Sequence, residues 1–331
     1  MDRIDALTAF VAAADENSLV GASRRLGRSP AAVTRALASL ERRIGTRLFH
    51  RTTRVIRLTE AGERYLAVCR RLLADLEEAD RAAAGERTAP RGMLNVTAPL
   101  FFGRLYLRPL LDAFLDAYPE VQARLFLFDR VANLIEEGID VAVRIGDLPD
   151  SGLIANRVGE VRRVVCASPA YLSRRKTPRE PAELKSHDCI SFNAMTPTDV
   201  WAFAPRAKSS ASRQVRVVPR LTVTEAEAAI GAAVDGHGIT RVLSYQVERQ
   251  IKAGRLKVIL EEFELPPWPV QVLYPEARLA AAKVRTFVDQ VVPTLRKELR
   301  RIHANVAAAL SRRGIPSAPE RVGHPRKSII R

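Results

Sequence analysis

Residues 29–62 read SPAAVTRALASLERRIGTRLFHRTTRVIRLTEAG, and this stretch decides the fold of the N-terminal part. Ser29 is a good N-cap, and Pro30 sits at the first helical position, where its missing N–H costs nothing. Val33, Leu37, Leu40 and Ile44 follow at spacings of 4, 3 and 4, one apolar helix face that ends at Gly45. The other face carries Thr34, Arg35, Ala38 and Arg42. Leu48-Phe49 and Val55–Leu58 then flank Arg51-Thr52-Thr53-Arg54, which predicts a small hairpin with arginines at its tip. Leu48 and Phe49 are expected in the core.

Upstream, Ile4, Leu7, Val11 and Ala14 predict an amphipathic first helix. Asn17 or Ser18 can cap a short second helix, which Gly27 breaks. Two short helices joined by a glycine turn, the second small and basic at its start, form a helix-turn-helix pattern. Ala31 and Ala32 let the backbone approach a groove. Arg35 can reach a guanine edge, and Thr34 a phosphate or a thymine methyl. An arginine-tipped hairpin suits the negative potential of a minor groove. Ser29, Pro30, Ala31, Thr34, Arg35, Arg51, Thr53 and Arg54 are the candidate DNA contacts. For Arg42, Arg43 and Arg47 a general phosphate or surface role fits as well.

The charge supports a polyanionic partner. The 331 residues hold 53 Lys plus Arg against 37 Asp plus Glu, a net charge of +16. From Arg24 to Arg57 there are ten arginines and one acid, Glu41. A second basic block, residues 301–331, has six arginines, Lys327, three prolines and little periodicity. It reads as a disordered tail. No run of about 18 apolar residues offers a membrane span. The start of the chain shows no signal-peptide core. Cys69, Cys166 and Cys189 match neither a zinc site nor a disulfide framework, and a cytoplasmic home is expected. No cofactor or metal is expected.

Thr59 can cap a long helix with Glu60 and Glu63 near its positive end. Tyr65, Cys69, Leu72, Leu76, Ala79 and Ala83 form an apolar seam that can pair with a second copy or pack on its own domain. Residues 85–92 read as a hinge.

Residues 92–300 alternate strands and helices, which predicts an α/β domain with largely parallel sheet. Strands are expected at 93–97, 121–127, 141–145, 215–224 and 268–274. Helices are expected at 131–137, 225–234 and 280–299, the last with a kink or break at Pro293. Ligands in such sheets bind beyond strand carboxyl ends. That places Thr97, Ala98, Pro99 and Leu100, with Arg144 and Gly146, at a cleft, where helix N–H groups and a Thr hydroxyl would suit a small carboxylate. For Thr97 an ordinary helix cap is the alternative. Thr224 and the 236–240 loop, with His237 and Thr240, would face the same cleft. No HExxH, GxGxxG, P-loop or GxSxG motif is present. An enzyme built on Cys166, Cys189 and His187 is the weakest reading. A solute-binding protein would leave residues 1–60 unexplained.

With these motifs in view, the chain resembles LysR-type transcriptional regulators. The resemblance is carried by Ser29–Arg35, Leu40–Arg51 and Leu58–Gly62, and further on by Phe102-Gly103-Arg104, Asp140–Gly146 and Cys166–Leu172. It covers about residues 2–300. It implies a winged helix-turn-helix (1–59), a dimerising linker helix and hinge (60–90), and a two-lobed α/β effector domain (91–300) similar to periplasmic solute-binding proteins of type 2. Lobe I would take about 91–165 and 268–300, and lobe II about 166–267. The family implies homodimers or homotetramers on an interrupted inverted repeat in promoter DNA, a small-molecule effector, and contact with RNA polymerase. By position, Pro30, Ala31, Thr34 and Arg35 would meet the major groove and Arg54 the minor groove. Thr97, Ala98, Pro99, Arg144, Thr224 and His237 fall where effector clefts are lined. Pro30 stands where many members have a polar residue. Thr224-Glu225 replaces a frequent Asn-Asp, and His237 a common apolar residue. The tail after residue 300 has no counterpart.

Overall fold

The computed structural model describes residues 2–51, 56–83, 89–147, 152–192, 199–205 and 213–311. Three helices open the chain: α1 (Arg3–Glu16), α2 (Leu19–Arg25) and α3 (Pro30–Ile44). The Ser18 hydroxyl accepts from the Gly21 amide at 3.1 Å and starts α2. The Ser29 hydroxyl accepts from the Ala32 amide at 3.2 Å and starts α3. Between them Gly27 turns the chain at φ +61°. Asp15, on α1, is the tie that holds the domain laterally. It takes Arg25 of α2 at 2.9 Å and Arg70 of the linker helix α4 (Glu60–Ala83).

The core of this unit is Phe10 against Phe49, edge to face at 5.3 Å, with Val33, Leu37 and Leu40 of α3 buried in the same cluster. Ile44, expected on that face, is exposed because the last turn of α3 is left uncovered. Ile4 is exposed too, and small residues (Ala6, Ala9, Ala13) bring α1 close to its neighbours instead. Strands β1 (Phe49–Arg51) and β2 (Ile56–Leu58) pair antiparallel, the base of the expected hairpin. Its tip lies outside the described residues. Thr59 accepts from the Gly62 amide at 2.9 Å, capping α4, and its hydroxyl donates to the Arg47 carbonyl at 2.8 Å.

The remaining chain builds two five-stranded mixed sheets. Lobe I contains β3 (Gly92–Ala98), β4 (Val121–Leu127), β5 (Val141–Ile145), β6 (Leu153–Val161) and, from later in the chain, Trp268–Pro275, in the order β4-β3-β5-(268–275)-β6. Between β3 and β4, α5 (Leu100–Phe102) passes through a π turn, Gly103–Leu107, into α6 (Arg108–Ala117). Lobe II contains β7 (Arg163–Ala167), β8 (Cys189–Phe192), β11 (Pro219–Val223), β12 (Ile239–Leu243) and β13 (Lys257–Ile259), ordered β11-β8-β12-β7-β13. Helix α7 (Pro169–Arg175) follows β7. A separate hairpin of β9 (Val200–Phe203) and β10 (Arg213–Arg216) covers one face. Helices α8 (Ala226–Val234) and α9 (Ser244–Lys252) cover the other. The 268–275 strand is β14, and α10 (Ala282–Ser311) closes the fold.

Both sheets are mixed rather than largely parallel. β3 runs parallel to β4 and β5, while β14 runs antiparallel to β5 and β6. The chain enters lobe II after Val161 and returns through β14, so the returning strand meets its neighbours head to tail.

Four expected elements differ. Residues 131–137 form a turn, not a helix: the Asn133 side chain accepts from the Ile135 and Glu136 amides, a local bond that competes with helix. The expected 215–224 strand is two strands in different sheets, divided at Val217-Val218. α10 carries Pro293 inside it and is not broken there. It also runs through residues 301–311, assigned above to the tail. Ile302 and Val306 are buried, and Arg301 (2.8 Å) and Asn305 (2.6 Å) bind Glu248 of α9. Residues 312–331 lie outside the described residues.

Gly62 has a packing reason. A Cβ there would overlap the Leu48 carbonyl oxygen where α4 crosses the start of the hairpin. Gly62→Ala should destabilise the N-terminal domain by about 1–3 kcal/mol, the usual cost of overpacking a rigid site. Urea unfolding followed through the N-terminal domain measures it; an unchanged midpoint would mean that the backbone yields there freely.

Candidate nucleic-acid interface and ligand cleft

The start of α3 is open. Ser29, Pro30, Ala31 and Arg35 are exposed, and Thr34 is half-buried. Arg35 makes no hydrogen bond or ion pair among the described residues. Its neighbours in the basic block differ: Arg28 binds Asp5 at 2.6 Å and Arg25 binds Asp15. The Thr34 hydroxyl donates to the Pro30 carbonyl at 2.9 Å, so only its lone pairs and methyl are left for a partner. Arg42 donates to its own helix at Ala38, and Arg43 and Arg47 are exposed. Glu41 is drawn to the wing, where one carboxylate oxygen accepts from the Leu48 amide at 2.9 Å and the Phe49 amide at 3.3 Å. The single acid of the block thereby orients the hairpin. Arg51 belongs to β1, but its side chain, and all of Thr53 and Arg54, lie outside the described residues.

The linker seam divides. Tyr65 and Cys69 pack on the N-terminal core, with Leu66 beside them. Val68, Leu72 and Leu76 are 39%, 47% and 37% exposed, an apolar stripe with spacing of four. The side chains of Ala79 and Ala83 lie outside the described residues.

In the α/β domain the expected cleft residues separate. Thr97 is fully buried in β3. Its hydroxyl donates to the Phe126 carbonyl at 2.8 Å and accepts from Arg144 at 3.4 Å, so it is neither a helix cap nor a free donor. Ala98 is buried; Pro99 and Leu100 are half-buried. The Leu100 amide donates to the Asp129 carboxylate at 3.2 Å, so the protein's own acid stands where a ligand carboxylate was expected. Arg144 is half-buried, near the Phe128 ring (5.4 Å), with no carboxylate at ion-pair distance among the described residues. Burial pushes its pKa down, against opposing help from Glu137. Gly146 is buried at φ +112°, bonded to Pro269 and Gln271. Thr224 is exposed beside Glu225. Thr240 is buried, its hydroxyl donating to the Ile190 carbonyl at 3.1 Å, which removes it from any cleft. His237 lines a different, open pocket of about 390 Å³ with Arg174, Arg175, Arg220 and Asp188.

The cleft between the lobes is closed. Leu100, Phe101, Arg104 and Asp129 of lobe I meet Phe192, Ala226, Glu227 and Gln246 of lobe II around a cavity of about 10 Å³. That is room for one water. Arg104 binds Glu227 across it at 2.8 Å. The sequence reading missed Arg104, Asp129, Glu227 and Gln246; Arg104 stood in the quoted Phe102-Gly103-Arg104, but nothing local says that it faces another lobe.

No group of three or more His, Cys, Asp or Glu side chains among the described residues could hold a metal. No described helix is long and apolar enough to cross a membrane.

A winged helix-turn-helix with an open basic helix, joined by a long helix to a two-lobed α/β domain, defines a class: a DNA-binding regulator that carries its own ligand-binding domain. Comparison with known families agrees. A profile described as "Bacterial regulatory helix-turn-helix protein, lysR family" matches residues 4–63, and one described as "LysR substrate binding domain" matches residues 87–296. The chain belongs to the LysR family and is a LysR-type DNA-binding transcriptional regulator with an effector-binding domain. It is 34% identical to an HTH-type transcriptional regulator of Xanthomonas campestris over 86% of this chain and 83% of that one. It is 33% identical to the regulator PtxR of Pseudomonas aeruginosa, over 88% and 93%. Among solved structures it is similar to CrgA of Neisseria meningitidis (29% identity, TM-score 0.56, 88% and 98% covered) and to the virulence activator AphB of Vibrio cholerae (27%, 0.56, 88% and 99%). These relatives are transcriptional regulators, not enzymes.

The cysteines fit that picture. All three are free and buried. Burial pushes the Cys69 thiol up to about 11, and Cys166 and Cys189 to about 12. They therefore stay protonated through neutral pH and are poor nucleophiles. A disulfide thiol reagent at about pH 8, just below an ordinary thiol pKa, should leave the native protein unlabelled and label three sites after unfolding. Fast labelling of the native protein would contradict the burial.

Proposed function

We propose that the protein is a cytoplasmic regulator that reads an interrupted inverted repeat through α3 and the wing, as a homodimer or homotetramer. The observation that carries this is the open N-terminal turn of α3, where Arg35 is exposed and unpaired among the described residues beside a wing oriented by Glu41. Ser29, Pro30 and Ala31 bring the helix backbone to the major groove, Thr34 and Arg35 meet bases or phosphates, and Arg51, Thr53 and Arg54 reach the minor groove or its phosphates. The exposed stripe Val68-Leu72-Leu76 supports pairing of α4 with a second copy, which sets two half-sites about one helical turn or a multiple apart.

The effector domain acts by linkage. A small molecule that prefers one lobe arrangement shifts the DNA-bound assembly, by no more than its differential affinity, and so changes DNA bending or contact with RNA polymerase. Entry between the lobes requires parting Arg104 from Glu227. Arg144 is the lobe I cation left to meet an anionic group, with Thr97, Ala98, Pro99, Leu100 and Gly146 shaping its surroundings and Thr224 at the rim.

Footprinting on the intergenic DNA upstream of its own gene, across a salt series, tests the reading. A protected inverted repeat with a large preference over scrambled duplex is expected. Arg35→Ala should cost about 1–3 kcal/mol on that site and little on scrambled DNA, as loss of a base contact does. An equal loss on both would make Arg35 a phosphate contact, and equal, steeply salt-dependent binding of the wild type to both would reduce the affinity to net charge.

A further inference from the structure

Half-buried Arg162 binds Glu264 through two bonds of 2.7 Å, and half-buried Arg278 lies 3.6 Å from Asp140. Two half-buried arginines of lobe II have no such partner among the described residues. Arg163 opens β7 and Arg241 lies in β12, and neither has an acid at ion-pair distance among the described residues. The antiparallel register pairs Leu243 with Arg163 and Arg241 with Val165. Side chains alternate along each strand, so Arg163 and Arg241 project from the same sheet face as diagonal neighbours. On the next strand, β8, Cys189 lies beside Ile239 and Ile190 beside Thr240. That register brings Ser191 alongside Arg241 on the same face. Ser191 is 2% exposed, and its hydroxyl has no hydrogen-bond partner among the described residues.

Three strands thus line up a buried hydroxyl and two half-buried guanidinium groups on one sheet face. Aromatic rings flank them. Arg163 lies 4.2 Å over Trp268, and Arg241 lies 5.2 Å from Trp201. The Arg241 fork donates to the Ala202 carbonyl at 3.3 Å. Burial, and the like charge of Arg163, push Arg241 down to about 10. The charge of Asp147 offsets part of the burial at Arg163, and no acid among the described residues does so at Arg241. Like charges drawn partly out of water are costly, and an orphaned buried hydroxyl adds to the cost.

We infer that Arg163, Arg241 and Ser191 form an anion site that takes the carboxylate of a small aromatic acid, with Trp201 and Trp268 against its ring. Two forks and a hydroxyl supply donors for both carboxylate oxygens, and rings favour a planar body over a hydrated phosphate. The site stands where the chain crosses between lobes, at β7 and the start of β14. Its filling bears on the lobe arrangement that the effector reading requires, and the inference rests on that reading of the domain.

The chain has two tryptophans and both are here, so intrinsic fluorescence reports on this site. The full-length protein is titrated with benzoate, 4-hydroxybenzoate, phthalate, benzamide and inorganic phosphate. Saturable change with at least one aromatic carboxylate, and none with benzamide or phosphate, is expected. Arg241→Lys keeps the charge without the fork and should weaken binding by about tenfold or more. Trp201→Phe removes one of the two reporters and should lose part of the signal. The inference is overturned if no carboxylate binds, if benzamide or phosphate binds as well, or if Arg163→Lys and Arg241→Lys both bind unchanged. Footprinting of Arg241→Lys keeps the two readings apart. Intact protection with lost carboxylate binding supports this site, and failure of wild-type protection would strike the regulator reading alone.

Discussion

The fork between Arg162 and Glu264 is the constraint on which the two-lobed domain depends. Arg162 is the single residue between β6 and β7, and Glu264 lies on the return path before β14. Two parallel bonds of 2.7 Å join the outgoing crossing to the incoming one, and the Arg162 amide donates to the Ser244 hydroxyl at the start of α9. The carboxylate is mostly shielded from water, which makes this pair different in kind from the exposed pairs on the surface. The lobes therefore share a pivot at one end. At the mouth, the Arg104–Glu227 pair is exposed and cheap to exchange, but behind it Phe101, Phe102 and Tyr106 of lobe I pack edge-on against the buried Tyr245 of lobe II. Opening the lobes therefore costs apolar contact as well as one surface ion pair.

Helix α10 adds a second link. It begins on lobe I, and its last turns are pinned to α9 of lobe II through Glu248, which accepts from Arg301 and Asn305. The stretch after residue 300 looked like a tail because its composition is basic and proline-rich. The decisive residues, Ile302 and Val306, continue from Leu295 and Leu299 at helical spacings of 4, 3 and 4, and all four are buried. Local composition hid a periodicity that only the facing helix makes meaningful.

Much of the N-terminal domain was legible for the opposite reason. Its signals are local: Ser29 caps within three residues, Gly27 and Gly45 turn within one, and Val33, Leu37 and Leu40 repeat on one helix. The cleft was not legible, because its chemistry is set by residues distant in sequence. Thr97 looked like a ligand donor, but its hydroxyl donates to the carbonyl of Phe126, a neighbour in the sheet. Leu100 looked like the start of an anion site until Asp129 occupied it. His237 and Thr240 share a loop but not a destination: one lines a surface pocket, and the other is sealed between β12 and β8. Ser191 carried no sequence signal at all. Its importance lies in having no partner where the sheet aligns it with Arg241.

The contact between linker and lobe I follows the same logic. A side chain on Gly138 would overlap the guanidinium of Arg71, which comes across from α4. Gly138 closes the 134–138 turn at φ +67°, just before Ile139 and β5. That turn is tied down by Arg130, whose two guanidinium nitrogens bind Glu137 at 2.6 Å while it stacks on Phe128 at 4.2 Å. The Arg144 guanidinium is near the same ring, at 5.4 Å. The half-buried cation of lobe I and the linker helix are thus two neighbours of one small, glycine-closed turn. The turn that Arg130 holds is the surface on which Arg71 lies. Glycine at 138 is required by the left-handed backbone of the turn, and a Cβ there would also displace the end of the Arg71 side chain from its present place.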